Sequence, residues 1–261
     1  MSNYSISVNY GFFMDNDDRF RLIKECGFSG VGLWWGKKCE GFDISCEEQF
    51  VLAKKYDLKI DYIHAPFSFH NMLRADDIAT QKEGIAIHER WIDTAFENNV
   101  RILVLHLNRL TDEEYITPNL IKCLTEINEY AKSKQVMLAL ENIGRPHDLS
   151  EAFDQIEDIY FCFDSSHASL EGDTDGKLLE KYIDRLVCTH FSDNDGAEDR
   201  HWSLGKGIID FANMAEILKK HNYKGMINCE VFEDGYSSPK EFLTDLYMRT
   251  DSYFGELNVS K

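Results

Sequence analysis

Short apolar runs alternate along this chain with longer stretches in which apolar residues return every three or four positions. The runs lie near residues 5–9, 30–35, 59–64, 101–107, 136–141, 160–164, 186–191 and 226–231, and their brevity and β-branched or aromatic content predict strands. Each is followed by a segment of helical spacing: DRFRLIKECGF, EEQFVLAKKYD, ATQKEGIAIHERWIDTAFENN, NLIKCLTEINEYAKS, LSEAFDQI, KLLEKYIDRL, FANMAEILKKHN and PKEFLTDLYMRTDSYF. Helix starts are marked by side chains able to accept the free amides of a first turn. Ser45 with Glu48, and Ser238 with Pro239 and Glu241, have capping-box spacing, and Thr117 stands before Pro118.

Strict alternation of strand and helix predicts parallel pairing, because a parallel return needs a crossover. A doubly wound open sheet shares that alternation but normally has a glycine-rich phosphate turn after its first strand, where this chain reads NYGFFMDN. Eight units within 261 residues, with no linker-like or low-complexity tract, predict one α/β domain over residues 1–261, a (β/α)8 barrel.

Six of the eight strands end on a side chain able to hold a metal: His64, His106, Glu141, Asp164, His190 and Glu230. In a barrel those ends open onto one cavity. A lone histidine or carboxylate at a strand end is at least as often a satisfied polar residue as a ligand; the recurrence across strands is what points to a shared cation. Two further spacings, Asp164 with His167 in FDSSHA and Asp199 with His201 in DRHWSLGKG, let a carboxylate and an imidazole face one centre. Taken alone, His167 reads equally as a first-turn residue bonded to Asp164, and the DRH triplet as a salt-bridged loop. Together they bring the candidate donors to nine, all oxygen or nitrogen, which suits manganese, zinc, magnesium, cobalt or iron.

The formal charge of −18, from 46 acidic and 28 basic residues, disfavours nucleic acid as a partner, since phosphates attract a basic face. It bears less on a small substrate, because a cation can reverse the sign inside a cavity. No run of about 18 apolar residues occurs and the first residues lack a basic start before an apolar core, so the expectation is a cytoplasmic protein without a membrane span. Seven cysteines without a CxxC pair fit a reducing compartment. Cys162 and Cys188 each precede a candidate donor by two residues, which places them on the same strand face, deeper in the barrel, as small core residues. His70, His88, His147 and His221 are expected to be solvated or locally bonded.

HAPF with His64, VLHLN with His106, ALENIG with Glu141, FDSSHA with Asp164 and His167, THFSDNDG with His190, DRHWSLGKG with Asp199 and His201, and CEVF with Glu230 together resemble the xylose isomerase-like TIM-barrel superfamily. The resemblance runs from about residue 60 to 232. Likeness to its sugar isomerases and epimerases implies one divalent ion, commonly manganese, on the positions of Glu141, Asp164, His190 and Glu230. It further implies a small carbohydrate substrate, with Glu141 and Glu230 as the catalytic pair moving a proton through a metal-stabilised enediolate. Likeness to the endonuclease IV branch implies three zinc ions on all nine positions and phosphate-ester hydrolysis. The acidic surface favours the first reading, while the donor count keeps the second as the alternative, so one to three divalent ions are expected. Candidate substrate contacts are His167, Trp34, Trp35 and Phe67, with Arg145 and the Lys206 of SLGKG for a phosphate group. A homo-oligomer is compatible with the chain.

Overall fold

The computed structural model describes residues 3–35, 44–67, 70–107, 116–144, 146–232 and 235–258. Its elements run β1 (Tyr4–Ser7), α1 (Asn16–Glu25), β2 (Gly30–Trp34), α2 (Cys46–Lys55), β3 (Lys59–His64), α3 (His70–Arg74), α4 (Ile78–Glu97), β4 (Ile102–His106), α5 (Pro118–Ser133), β5 (Met137–Glu141), α6 (Pro146–Gln155), β6 (Tyr160–Asp164), α7 (Ser165–Leu170), α8 (Lys177–Lys181), β7 (Leu186–His190), α9 (Phe211–Lys220), β8 (Ile227–Cys229) and α10 (Pro239–Phe254). All strands pair in parallel, in the order β7-β6-β5-β4-β3-β2-β1-β8. A parallel bridge between Phe191 and Cys229 joins the two outer strands, with the Phe191 amide donating to Asn228 O at 2.9 Å. The expected eight-stranded barrel is therefore nearly closed.

The local signals act as their chemistry requires. Ser45 and Glu48 form both bonds of a capping box on α2, and Thr117 caps α5 ahead of Pro118. On α10, Ser238 accepts the Glu241 amide, but the Glu241 carboxylate turns to Ser237, so only half of the expected box closes. The short helices α3 and α7 were not legible from periodicity, and KLLEKYIDRL is α-helical to Lys181 and then forms a 3-10 turn, Ile183–Arg185, before β7 begins at Leu186.

Strand alternation sorts the core into two parts. Tyr62, Ile102, Val104, Ala139, Cys162 and Cys188 fill the barrel interior, whereas Leu103, Leu138, Leu140, Phe161 and Phe163 face outward under the helices. The six described cysteines are free; Cys39 and Arg145 lie outside the described residues. His70 and His88 are buried rather than solvated; His88 Nδ1 is bonded to Gly84 O at 2.7 Å. Among the described residues no helix is long and apolar enough to cross a membrane.

β3 holds one extra residue, since Val31 pairs with Ile60 and Gly32 with Tyr62. The intervening Asp61 is buried and accepts a hydrogen bond from Ser5 at 2.6 Å. Beyond this bulge Tyr62 shares a 2.7 Å hydrogen bond with the Ser7 hydroxyl, and its ring lies 4.8 Å from that of His190. Glycine is required opposite it: a Cβ on Gly32 would stand 2.2 Å from Tyr62 Cζ. Gly32→Ala should therefore destabilise the fold by about 1–3 kcal/mol through overpacking. Urea unfolding reads this, and an unchanged midpoint would refute the packing account.

Candidate metal centre

β3, β4, β5, β6 and β7 end on His64, His106, Glu141, Asp164 and His190, and Glu230 directly follows β8. Parallel strands put these ends on one rim of the barrel. Asp164 also caps α7, its carboxylate accepting the His167 amide at 2.8 Å, and this first turn turns His167 inward. Asp199 and His201 arrive on the loop after β7, which a two-way backbone pairing of Asp193 with Trp202 ties down.

Glu141 is the hub. Its Oε2 lies 3.0 Å from His64 Nε2, 3.0 Å from His106 Nε2 and 3.3 Å from His190 Nδ1, and its Oε1 lies 3.2 Å from His167 Nδ1. His190 Nδ1 stands 2.8 Å from Glu230 Oε2, so it sits between the two glutamates. Asp199 Oδ2 bridges His167 Nε2 at 3.3 Å and His201 Nε2 at 3.0 Å. The donor atoms of Glu141, Asp164, His190 and Glu230 all fall within 4.8 Å of one another, as do those of His64, His106 and Glu141, and those of His167, Asp199 and His201. All nine sequence-identified donors thus meet at one end of the barrel.

Opposing shifts run through the cluster. Burial opposes the charge of Glu141, yet His106 and His190 beside it hold the carboxyl well below its usual range. Burial equally opposes a charged His190, and Glu141 and Glu230 overcome it, raising that imidazole well above its usual range. His201, against the same burial, is pushed up to about 9 by Asp199, while burial takes His106 down to about 4. Burial also carries Asp164 up to about 6. Such divergence within one buried group marks a functional site more often than a structural one.

The donor set fits a divalent cation. Among the described residues, every ion-pair partner of Glu141, Asp164, Asp199 and Glu230 is a histidine; no lysine or arginine balances these carboxylates. His64 places Nδ1 2.8 Å from Ala65 O and Nε2 against Glu141, oxygen on both sides. His201 likewise lies between Glu230 O at 2.9 Å and Asp199. An imidazole that ligates a metal is neutral, with its one N–H on a carbonyl and the other nitrogen facing the ion, an arrangement that the Ala65 and Glu230 carbonyls allow. Asp164 Oδ2 and His190 Nε2 are buried without a hydrogen-bond partner, the condition of ligand atoms rather than of core polar groups.

Several supporting residues escaped the sequence reading. Asn142 clamps β5 to β6 by donating to Asp164 O and accepting the Asp164 amide, each at 2.7 Å, which fixes the spacing of Glu141 and Asp164. Ser166 donates to Asp199 Oδ1 at 2.7 Å and is itself held by Asn194. Both sit inside motifs singled out for other members, so only their neighbours signalled them. Phe232, after β8, packs on His201 at 4.8 Å. Trp34 and Phe67 line the opposite wall, Trp34 5.3 Å from the His64 ring and Phe67 stacked 4.5 Å from His106; Trp35 instead packs on Phe50. At the end of the SLGKG loop the backbone donors are already engaged. The Gly207 and Ile209 amides donate to Asp193, that of Ile208 to Asn194 O, and Lys206 Nζ lies over Tyr236 at 4.2 Å.

Residues 20–249 match the sequence model of the xylose isomerase-like TIM barrel family. An uncharacterised protein of Methanocaldococcus jannaschii is 26% identical over 241 residues, covering 86% of this chain and 92% of that protein. An inosose isomerase of Halalkalibacterium halodurans is 28% identical over 180 residues, 61% of this chain and 63% of the relative. Among solved structures, an L-ribulose 3-epimerase superposes with a TM-score of 0.80 over 100% of this chain and 99% of its own at 15% identity, which speaks to the fold.

Proposed function

Since this chain belongs to the xylose isomerase-like TIM barrel family, we propose that it is a divalent-metal-dependent sugar isomerase or epimerase. The observation that carries the reading is the four-donor group of Glu141, Asp164, His190 and Glu230, the first three buried. These residues would hold the ion, which supplies Lewis-acid polarisation of a substrate carbonyl and neutralises charge on the neighbouring oxygen. An inosose isomerase among the relatives supports a carbohydrate substrate.

Proton movement falls to the two glutamates. The Glu230 side chain is 16% exposed and reaches the cavity, whereas that of Glu141 is 1% exposed and fixed among four imidazoles. One removes a proton beside the carbonyl and the other returns it. Return to the opposite face of the same carbon inverts it; return to the adjacent carbon isomerises aldose and ketose. His167, between Glu141 and Asp199, orients a substrate oxygen, and Trp34 with Phe67 receives the apolar face of the sugar. With the amides of residues 207–209 already engaged, an unphosphorylated sugar suits the cavity better than a sugar phosphate.

The His64–His106–Glu141 and His167–Asp199–His201 groups favour a second reading, a multinuclear zinc phosphoesterase. Four ionised carboxylates exceed the charge of one divalent ion, so protonated histidines or further ions must balance the remainder. Metal analysis of the purified chain separates the two. About one ion per chain, with manganese restoring turnover of a panel of ketoses, is the expected result. Two or three tightly held zinc ions with cleavage of an abasic-site oligonucleotide would overturn it.

A further inference from the structure

The two interior thiols acquire a different meaning once strand register is known. His106 pairs with Glu141, Glu141 with Cys162, and Cys162 with Cys188 across β4 to β7. Cys162 therefore stands beside the hub carboxylate, not merely two residues below Asp164. Its sulfur, a Glu141 oxygen and a His190 nitrogen all lie within 4.8 Å of one another, and all three residues are buried. His190 is fully enclosed; its Nδ1 lies between Glu141 and Glu230, while its Nε2 is buried without a hydrogen-bond partner. A small core residue would explain the thiol alone, as Ala139 fills the equivalent space on β5. It does not explain why a buried carboxylate oxygen and a buried imidazole nitrogen converge on the same sulfur.

We propose that Cys162, Glu141 and His190 form an inner site for a thiophilic divalent ion of the zinc or cadmium class, beneath the four-donor position. The inference rests on the reading of Glu141 and His190 as metal donors but not on the sugar chemistry. Sulfur beside nitrogen and oxygen selects zinc or cadmium over manganese and magnesium, which prefer oxygen. Burial keeps the Cys162 thiol protonated, and coordination deprotonates a thiol outright. The sulfur–metal bond thus forms as the S–H bond breaks, with one proton released to solvent. Because Glu141 and His190 belong to both groups, an ion in the inner position withdraws two of the four outer donors. Thiophilic ions then compete with manganese rather than replace it.

Cobalt-loaded full-length protein tests this by absorption. A near-ultraviolet sulfur-to-cobalt charge-transfer band is expected, and Cys162→Ala should lose it. X-ray absorption of the zinc-loaded wild type needs no variant to fold and should show a sulfur neighbour at about 2.3 Å. A shell of nitrogen and oxygen only, or a band that survives in Cys162→Ala, would overturn the inner site. Manganese-dependent turnover of the ketose panel is read separately. Its failure would sink the sugar reading while leaving sulfur ligation standing, and a sulfur-free spectrum with normal turnover would sink the inner site alone.

Discussion

Glu141→Gln should lose metal binding and catalysis together, with turnover falling at least the roughly 10²–10⁴-fold that a missing proton-transfer group costs. The reason is the hub geometry: four histidines converge on this one carboxylate, and it belongs to three of the donor groups. Glutamine preserves volume but carries no charge and turns an N–H2 toward nitrogens that need an anion or a cation. Stability gives a readout independent of substrate. An ion at about 100 times its Kd adds about 2.7 kcal/mol to the folded state, and in a chain of this size each kcal/mol raises Tm by about 2–4 °C. Manganese should thus raise the wild-type Tm by roughly 5–10 °C and leave Glu141→Gln unmoved. A variant that binds manganese with the wild-type stoichiometry and thermal shift would remove Glu141 from the centre.

How much of this centre the chain disclosed depends on the distance over which each relation acts. Glu141, Asp164 and His190 were legible because a two-residue period carries each to the inner face at the strand end, a local property. Their order of importance was not legible. That Glu141 collects four imidazoles follows from barrel closure and stagger, which place β3, β4 and β7 side chains over β5. Asp199 was visible as a spacing with His201, but its anchor Ser166 belongs to a distant segment. The backbone amides expected to help Lys206 hold a phosphate are engaged for a related reason. Glycine-flanked amides are open only if nothing nearer accepts from them, and Asp193 reaches Gly207 at 2.7 Å. Cys162 was rightly placed on the inner face, yet its closeness to Glu141 needed the strand register.

Glu230→Gln should behave differently from its partner, retaining the ion and losing the reaction. β8 is the shortest strand, Ile227–Cys229, and Glu230 leaves it at the rim, where its side chain keeps 16% of its surface open. Only His190 among the described residues pairs with it, at 2.8 Å, so glutamine can keep that contact through its amide oxygen and still offer an oxygen to a cation. What it cannot do is accept a proton from carbon at neutral pH. Burial works against the Glu230 charge, but His190 holds the carboxyl down at about 2, which keeps it in the basic form across the physiological range. Turnover should fall by about 10²–10⁴-fold, while the manganese-induced rise in Tm stays near that of the wild type. Exchange of the substrate C–H hydrogen with deuterated water isolates the step. Wild-type protein should wash the label in faster than product appears or alongside it, and Glu230→Gln should do neither. Undiminished exchange in the variant would assign the proton transfer elsewhere in the cluster and leave Glu230 as a ligand alone.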